Sequence, residues 1–125
     1  MKGLVIDPEK DGRKEIRGSE EDNSKRLINW ILGPQDIPSE QFMGGLSTFE
    51  PGIVAPMHVH PDAEEINVVL EGEGEFYADD EVMSVKKGDW QFIPKGVAHS
   101  HKNTGSGPFT IVWVYSPPSK AVPQG

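Results

Sequence analysis

The chain contains no cysteine, which excludes disulfides, thiolate metal ligands and a cysteine nucleophile, and fits a reducing, cytoplasmic setting. Basic residues are also scarce. Twelve Lys and Arg stand against twenty Asp and Glu, and the net charge of −8 opposes approach to phosphate backbones and anionic membrane surfaces. No nucleic-acid or membrane partner is expected. Long apolar runs are missing too: the longest, Phe109 to Tyr115, is far too short to span a bilayer, and the opening MKGLVIDPEK lacks the apolar stretch of a secretory signal. Helical periodicity is absent, as are a phosphate-cradling loop before a helix, a Gly-x-Ser-x-Gly elbow and an HExxH motif.

What is present reads as one all-β domain of 125 residues. Gly 14 and Pro 11 make up about a fifth of the chain and punctuate short Val-, Ile- and Phe-rich runs. After a short first strand at Leu4 to Ile6, the runs Leu27–Leu32, Phe42–Phe49, Pro56–His60, Glu65–Leu70, Glu75–Ala78, Glu81–Val85, Trp90–Ile93, His99–Asn103 and Phe109–Tyr115 have strand composition. About nine strands at such spacing predict a sandwich or barrel. Residues 7–26 carry many charges and a single Ile, so they are expected to form a surface arm or loop, either solvated or lying along a partner subunit. Residues 116–125 form a proline-rich tail that cannot join a central strand.

The four histidines fall in two pairs, His58 with His60 and His99 with His101, and Glu65 follows the first pair. Side chains alternate faces along a strand, so His58 and His60 point the same way and can close on one ion. The turn His60-Pro61-Asp62 returns the chain and brings the Glu65 carboxylate within reach of the same point. His99, after the turn Pro94-Lys95-Gly96, would complete a set of three nitrogens and one oxygen. Such a set suits one divalent Mn, Fe, Co, Ni, Cu or Zn ion and leaves a six-coordinate metal two adjacent open positions. Asp62, Glu64 or backbone carbonyls are candidates for orienting the imidazoles.

The spacing Gly52-x5-His58-x-His60-x4-Glu65-x6-Gly72, then a spacer of 15 residues, then Gly88-x5-Pro94-x-Gly96-x2-His99-x3-Asn103, resembles the paired signature motifs of the cupin superfamily at every defined position. That resemblance implies a jelly-roll barrel, also called a double-stranded β-helix. It implies His58, His60, Glu65 and His99 as metal ligands, Gly72 and Gly88 at strand turns, and Pro94 and Gly96 shaping the turn before the last ligand. Cupin-like domains commonly pair, and Ile66, Val68 and Leu70, opposite Glu65 on their strand, together with the apolar face of Leu27–Leu32, need cover; a homodimer is therefore expected.

Strand parity places Asn67 and Val69 on the face of Glu65, and His101 on that of His99. His101 is a candidate for proton transfer to or from a bound substrate, against the alternative that it sits too far along the barrel to reach. Tyr115 offers a phenol that can hydrogen-bond a ligand, and Met43 and Met57 are core fillers or pocket walls. Phe42, Phe49, Phe76, Trp90, Phe92, Trp113 and Tyr115 are expected to be mostly core. The resulting expectation is a metalloenzyme acting on a small oxygen-rich metabolite, such as a keto acid, sugar or diol, by Lewis-acid or O₂ chemistry. Two alternatives stand beside it: a small-molecule binding module without turnover, and a barrel whose ion is purely structural.

Overall fold

The computed structural model describes residues 3–118. One short helix, α1 (Pro8–Asp11), precedes nine strands: β1 (Arg13–Arg17), β2 (Arg26–Leu32), β3 (Met43–Phe49), β4 (Glu64–Glu71), β5 (Glu73–Ala78), β6 (Glu81–Lys86), β7 (Trp90–Ile93), β8 (His99–Asn103) and β9 (Phe109–Ser116). They form a six-stranded sheet in the order β1-β2-β3-β9-β4-β7 and a three-stranded sheet in the order β6-β5-β8. Every strand pair is antiparallel, and strands distant in sequence, such as β3 with β9 and β4 with β9, lie side by side. The two sheets enclose one core in the jelly-roll manner.

Register sorts the large sheet's inner face into rows. Ile93, Glu65, Tyr115 and Met43 stand side by side, and the next row inward is Gln91, Asn67, Trp113, Gly45 and Trp30. Below these lie Val69, Ile111, Ser47 and Ile28. Trp30 meets Trp113 edge-on with ring centroids 5.3 Å apart, which Gly45 permits because a Cβ there would come within 2.8 Å of the Trp113 ring. Glu65 and the buried histidines thus gather toward one end of the barrel, while aliphatic and aromatic residues with a few hydrogen-bonded polar ones fill the rest.

Several expectations need correction. Leu4–Ile6 forms no strand, and Leu4 and Val5 are exposed. The charged stretch 7–26, expected as a surface arm or loop, instead supplies α1 and edge strand β1, which pairs with β2 along its whole length. Backbone hydrogen bonds hold such a strand without an apolar face. The Arg13 and Arg17 guanidinium groups lie 5.4 and 5.1 Å from the Trp30 ring centroid, and Arg13 forms two hydrogen bonds with the Asp36 carboxylate. Pro56–His60 contributes only an isolated bridge, His58 to His99. The tail overlaps β9 at Ser116, and its residues 119–125 lie outside the described residues.

Three of the residues expected in the core face solvent: Trp90 is 72 % exposed, Phe92 59 % and Phe42 49 %. On β7 the reason is parity, because Gln91 and Ile93 pair with Asn67 and Glu65 and take the inward positions. Trp30 and Phe109 fill the core in their place. Of the two methionines considered as core fillers or pocket walls, Met43 is buried and Met57 exposed.

Candidate metal centre

Three separate segments converge at the polar end of the barrel. The irregular stretch before β4 supplies His58 and His60, β4 supplies Glu65 in its second position, and β8 begins at His99. The bridge between His58 and His99 fixes those two backbones, with the His58 N–H donating to the His99 carbonyl at 3.0 Å and the His99 N–H donating back at 2.9 Å. Gly72, with φ +84°, turns the chain from β4 into β5, and a Cβ there would come 2.3 Å from the Pro108 carbonyl oxygen. Gly96, with φ +78°, sits in the turn that delivers His99.

One ligand atom from each of His58, His60, Glu65 and His99 lies within 4.8 Å of all the others. Glu65 Oε1 is 3.1 Å from His99 Nε2 and 3.3 Å from His60 Nε2. The imidazole orientations suit a cation. His99 Nδ1 donates to the Val97 carbonyl at 2.9 Å, and His58 Nδ1 donates to the Pro56 carbonyl at 3.1 Å. Each bond puts a ring proton on Nδ1 and turns Nε2 toward the centre, where His99 Nε2 donates to Glu65 Oε1 at 3.1 Å. Backbone carbonyls two residues upstream are therefore the orienting groups for these two rings. His60 is held differently: its ring stacks on Tyr115 with centroids 4.5 Å apart and planes 22° apart, and its Nδ1 has no partner among the described residues.

Electrostatics point the same way. Burial, reinforced by the charge of His99, pushes His58 down to about 4, and burial also lowers His60. These rings are neutral at physiological pH, as metal ligands must be. Burial acts to raise Glu65, but the hydrogen bonds and charge of His99, together with Asn67, outweigh it and hold the carboxylate below its usual range. Burial acts to lower His99, and its hydrogen bond and attraction to Glu65 raise it instead. The carboxylate and its surrounding imidazoles thus draw one positive charge into their midst, and a donor set of three nitrogens and one carboxylate oxygen fits a divalent transition ion.

Residues 45–115 match the family model of the cupin domain. The chain belongs to the cupin family. Among relatives, an uncharacterized protein of Aquifex aeolicus is 40% identical over 60 residues, which cover 48% of this cupin and 49% of that protein. The matched region thus spans about half the length of that curated relative. A predicted oxalate decarboxylase of Thermotoga maritima superimposes with a TM-score of 0.77 at 22% identity, covering 90% of this chain and 98% of that one. KdgF from a Halomonas species gives 0.70 at 19% identity, covering 96% and 97%. At such identities the likeness shows the shared jelly-roll barrel.

The two candidates beyond the ligands are placed differently. Tyr115 stands beside Glu65 in register, and its hydroxyl is buried with no partner among the described residues. An unpaired buried hydroxyl costs about 1–3 kcal/mol. Burial and the nearby Glu65 charge raise its pKa, so it remains a protonated donor. His101 lies one step further along β8, packed against Phe76 at 5.0 Å between ring centroids, with Nε2 and Gln91 Oε1 2.7 Å apart. Complete burial pushes it down to about 3. Its imidazole is thus fully buried and engaged with the Gln91 amide. Gln91 went unrecognised in the sequence. The signal was a lone amide between two aromatics in Trp90-Gln91-Phe92, which acquires meaning only once β7 is paired with β4.

Proposed function

We propose that this cupin is a metal-dependent enzyme acting on a small oxygen-rich molecule, such as a keto acid, sugar or diol, that binds through two of its oxygens. The observation that carries the reading is the buried cluster of three imidazoles and one carboxylate whose ligand atoms lie within 4.8 Å of one another. His58, His60 and His99 would hold one Mn, Fe, Co, Ni, Cu or Zn ion through Nε2, and Glu65 through Oε1. When bound, such an ion supplies Lewis acidity to substrate oxygens or a means of activating O₂. Around it, the unpartnered Tyr115 hydroxyl would donate to a substrate oxygen, and the paired His101 and Gln91 lie one row further into the barrel.

Elemental analysis of protein purified without added metal, followed by turnover and thermal-shift assays with keto acids, uronates and diols, tests the proposal. About one ion per chain with turnover supports it. Stoichiometric ion with thermal shifts but no turnover overturns the enzymatic reading in favour of a binding module.

The outer face of the large sheet favours a homodimer. Trp90, Phe92 and Ile66 are exposed there, flanked in register by Val68, Val112, Val114 and Leu46 without a charge among them. Sedimentation at micromolar concentration tests this, and a monomer overturns it.

A further inference from the structure

Glu65 has two carboxylate oxygens, and the structure gives them separate partners. Oε1 faces the imidazoles, 3.1 Å from His99 Nε2 and 3.3 Å from His60 Nε2, whereas Oε2 accepts a hydrogen bond of 2.7 Å from Asn67 Nδ2. Asn67 follows Glu65 by two residues on β4, shares its inward face and is fully buried between Gln91 and Trp113 in register. Its amide cannot be turned over without setting Oδ1 against Oε2, two acceptors in contact. Oδ1 itself has no partner among the described residues, so of the two ends of this amide only the Nδ2 end is engaged by another side chain.

A carboxylate can bind a cation through one oxygen or both. Four protein donors leave two positions on a six-coordinate ion, and a chelating Glu65 would leave one. Resting on the metal-centre reading above, we propose that Asn67 is a positioning residue that restrains Glu65 to ligation through Oε1 and so keeps two adjacent positions for a substrate bound through two oxygens. The sequence carries the device in the Glu65-Ile66-Asn67 spacing. A donor two residues along a strand lies on the same face, one pleat away.

The test compares wild type with Asn67→Leu, which keeps the volume and removes the donor. Both are loaded with Mn(II) for water-proton relaxation and with Co(II) for ligand titration by visible absorption. Both are expected to take up about one ion per chain. Asn67→Leu is expected to lose about half of the inner-sphere water relaxivity, and to bind the two-oxygen chelator acetohydroxamate at least about tenfold more weakly, with azide affinity changed less than about twofold. A merely structural role would move both affinities together. Infrared carboxylate stretches of Zn-loaded wild type bearing ¹³C-labelled Glu give an answer that does not depend on the variant folding. A splitting typical of one-oxygen ligation is expected. A chelating carboxylate in wild type, or an Asn67→Leu protein with unchanged relaxivity and unchanged acetohydroxamate-to-azide ratio, overturns this inference alone. A wild type that takes up no ion overturns the metal-centre reading and this inference with it.

Discussion

Asn103 and Tyr115 are both fully buried polar residues lining the same barrel, yet they are treated in opposite ways. Asn103, four residues along β8 from His99, is saturated: Nδ2 donates at 2.8 Å to both the Phe49 and the Gly107 carbonyls, and Oδ1 accepts from the Gly105 N–H at 2.9 Å. Trp113 Nε1 likewise donates to Ser47 Oγ at 2.9 Å, and Ser100 Oγ donates to the Ala55 carbonyl. At the histidine end, Tyr115 Oη, Asn67 Oδ1 and His60 Nδ1 are buried without partners among the described residues. Where the chain needs polar atoms to lock a loop, it satisfies them. Beside the histidine cluster it leaves these three atoms unspent, as it also leaves Asn29 Oδ1 and Trp30 Nε1 on β2.

The largest expected effect belongs to the open end. Replacing His58 and His60 together with Ala should reduce the ion content from about one per chain to background, with the fold retained by circular dichroism; stoichiometric metal in that variant would break the assignment of this end as a metal site. The saturated end should answer in stability instead. Asn103→Ala strands two carbonyls and one N–H, a loss of roughly 3 kcal/mol by urea denaturation, with ion content unchanged. A destabilisation below about 1 kcal/mol would show that saturation there matters little.

His101 links the two ends and makes the contrast depend on pH. Its folded value, about 3, lies below the ordinary 6.5, so between these values the unfolded chain takes up a proton that the fold refuses. Stability is full above pH 6.5 and is lost as pH falls toward 3, by up to about 1.4 kcal/mol per pH unit. Denaturation of metal-free wild type and His101→Asn at pH 7, 6 and 5 checks this by difference, since His58, His60 and His99 titrate in both, and equal slopes would contradict it. The smallest effect concerns Tyr115→Phe. Removing a hydroxyl that is buried without a partner should raise stability by about 1 kcal/mol while weakening binding of oxygen-rich ligands; a clear loss of stability would place Tyr115 with the saturated residues.

Much of this was legible in the sequence where local rules apply. Each of β2 to β9 falls on a run bounded by turn signals in the sequence, whereas the histidine segment 56–60, also so bounded, does not become a strand. That segment forms only one bridge, yet it still places His58 and His60 in the cluster. β1 was not legible, because Arg13-Lys14-Glu15-Ile16-Arg17 shows none of the apolar alternation that marks a half-buried strand. It is held by backbone pairing to β2 and by arginine stems over Trp30, which the sequence places thirteen residues or more away.

By itself the sequence determined which residues form the His58, His60, Glu65 and His99 cluster and most of the strand content, since the period of two along a strand and the reach of a short turn operate over a few residues. Parity also said that Glu65 shares a face with Asn67, and His99 with His101, without saying what lies opposite. Tertiary structure alone decided that Trp90 and Phe92 face solvent, that Gln91 engages His101, that the Pro56 and Val97 carbonyls aim two imidazoles and that Asn67 holds one oxygen of Glu65. Which face points inward, and which atoms meet there, depends on pairing between strands far apart in the chain, where a shift of one residue exchanges every inward side chain for an outward one.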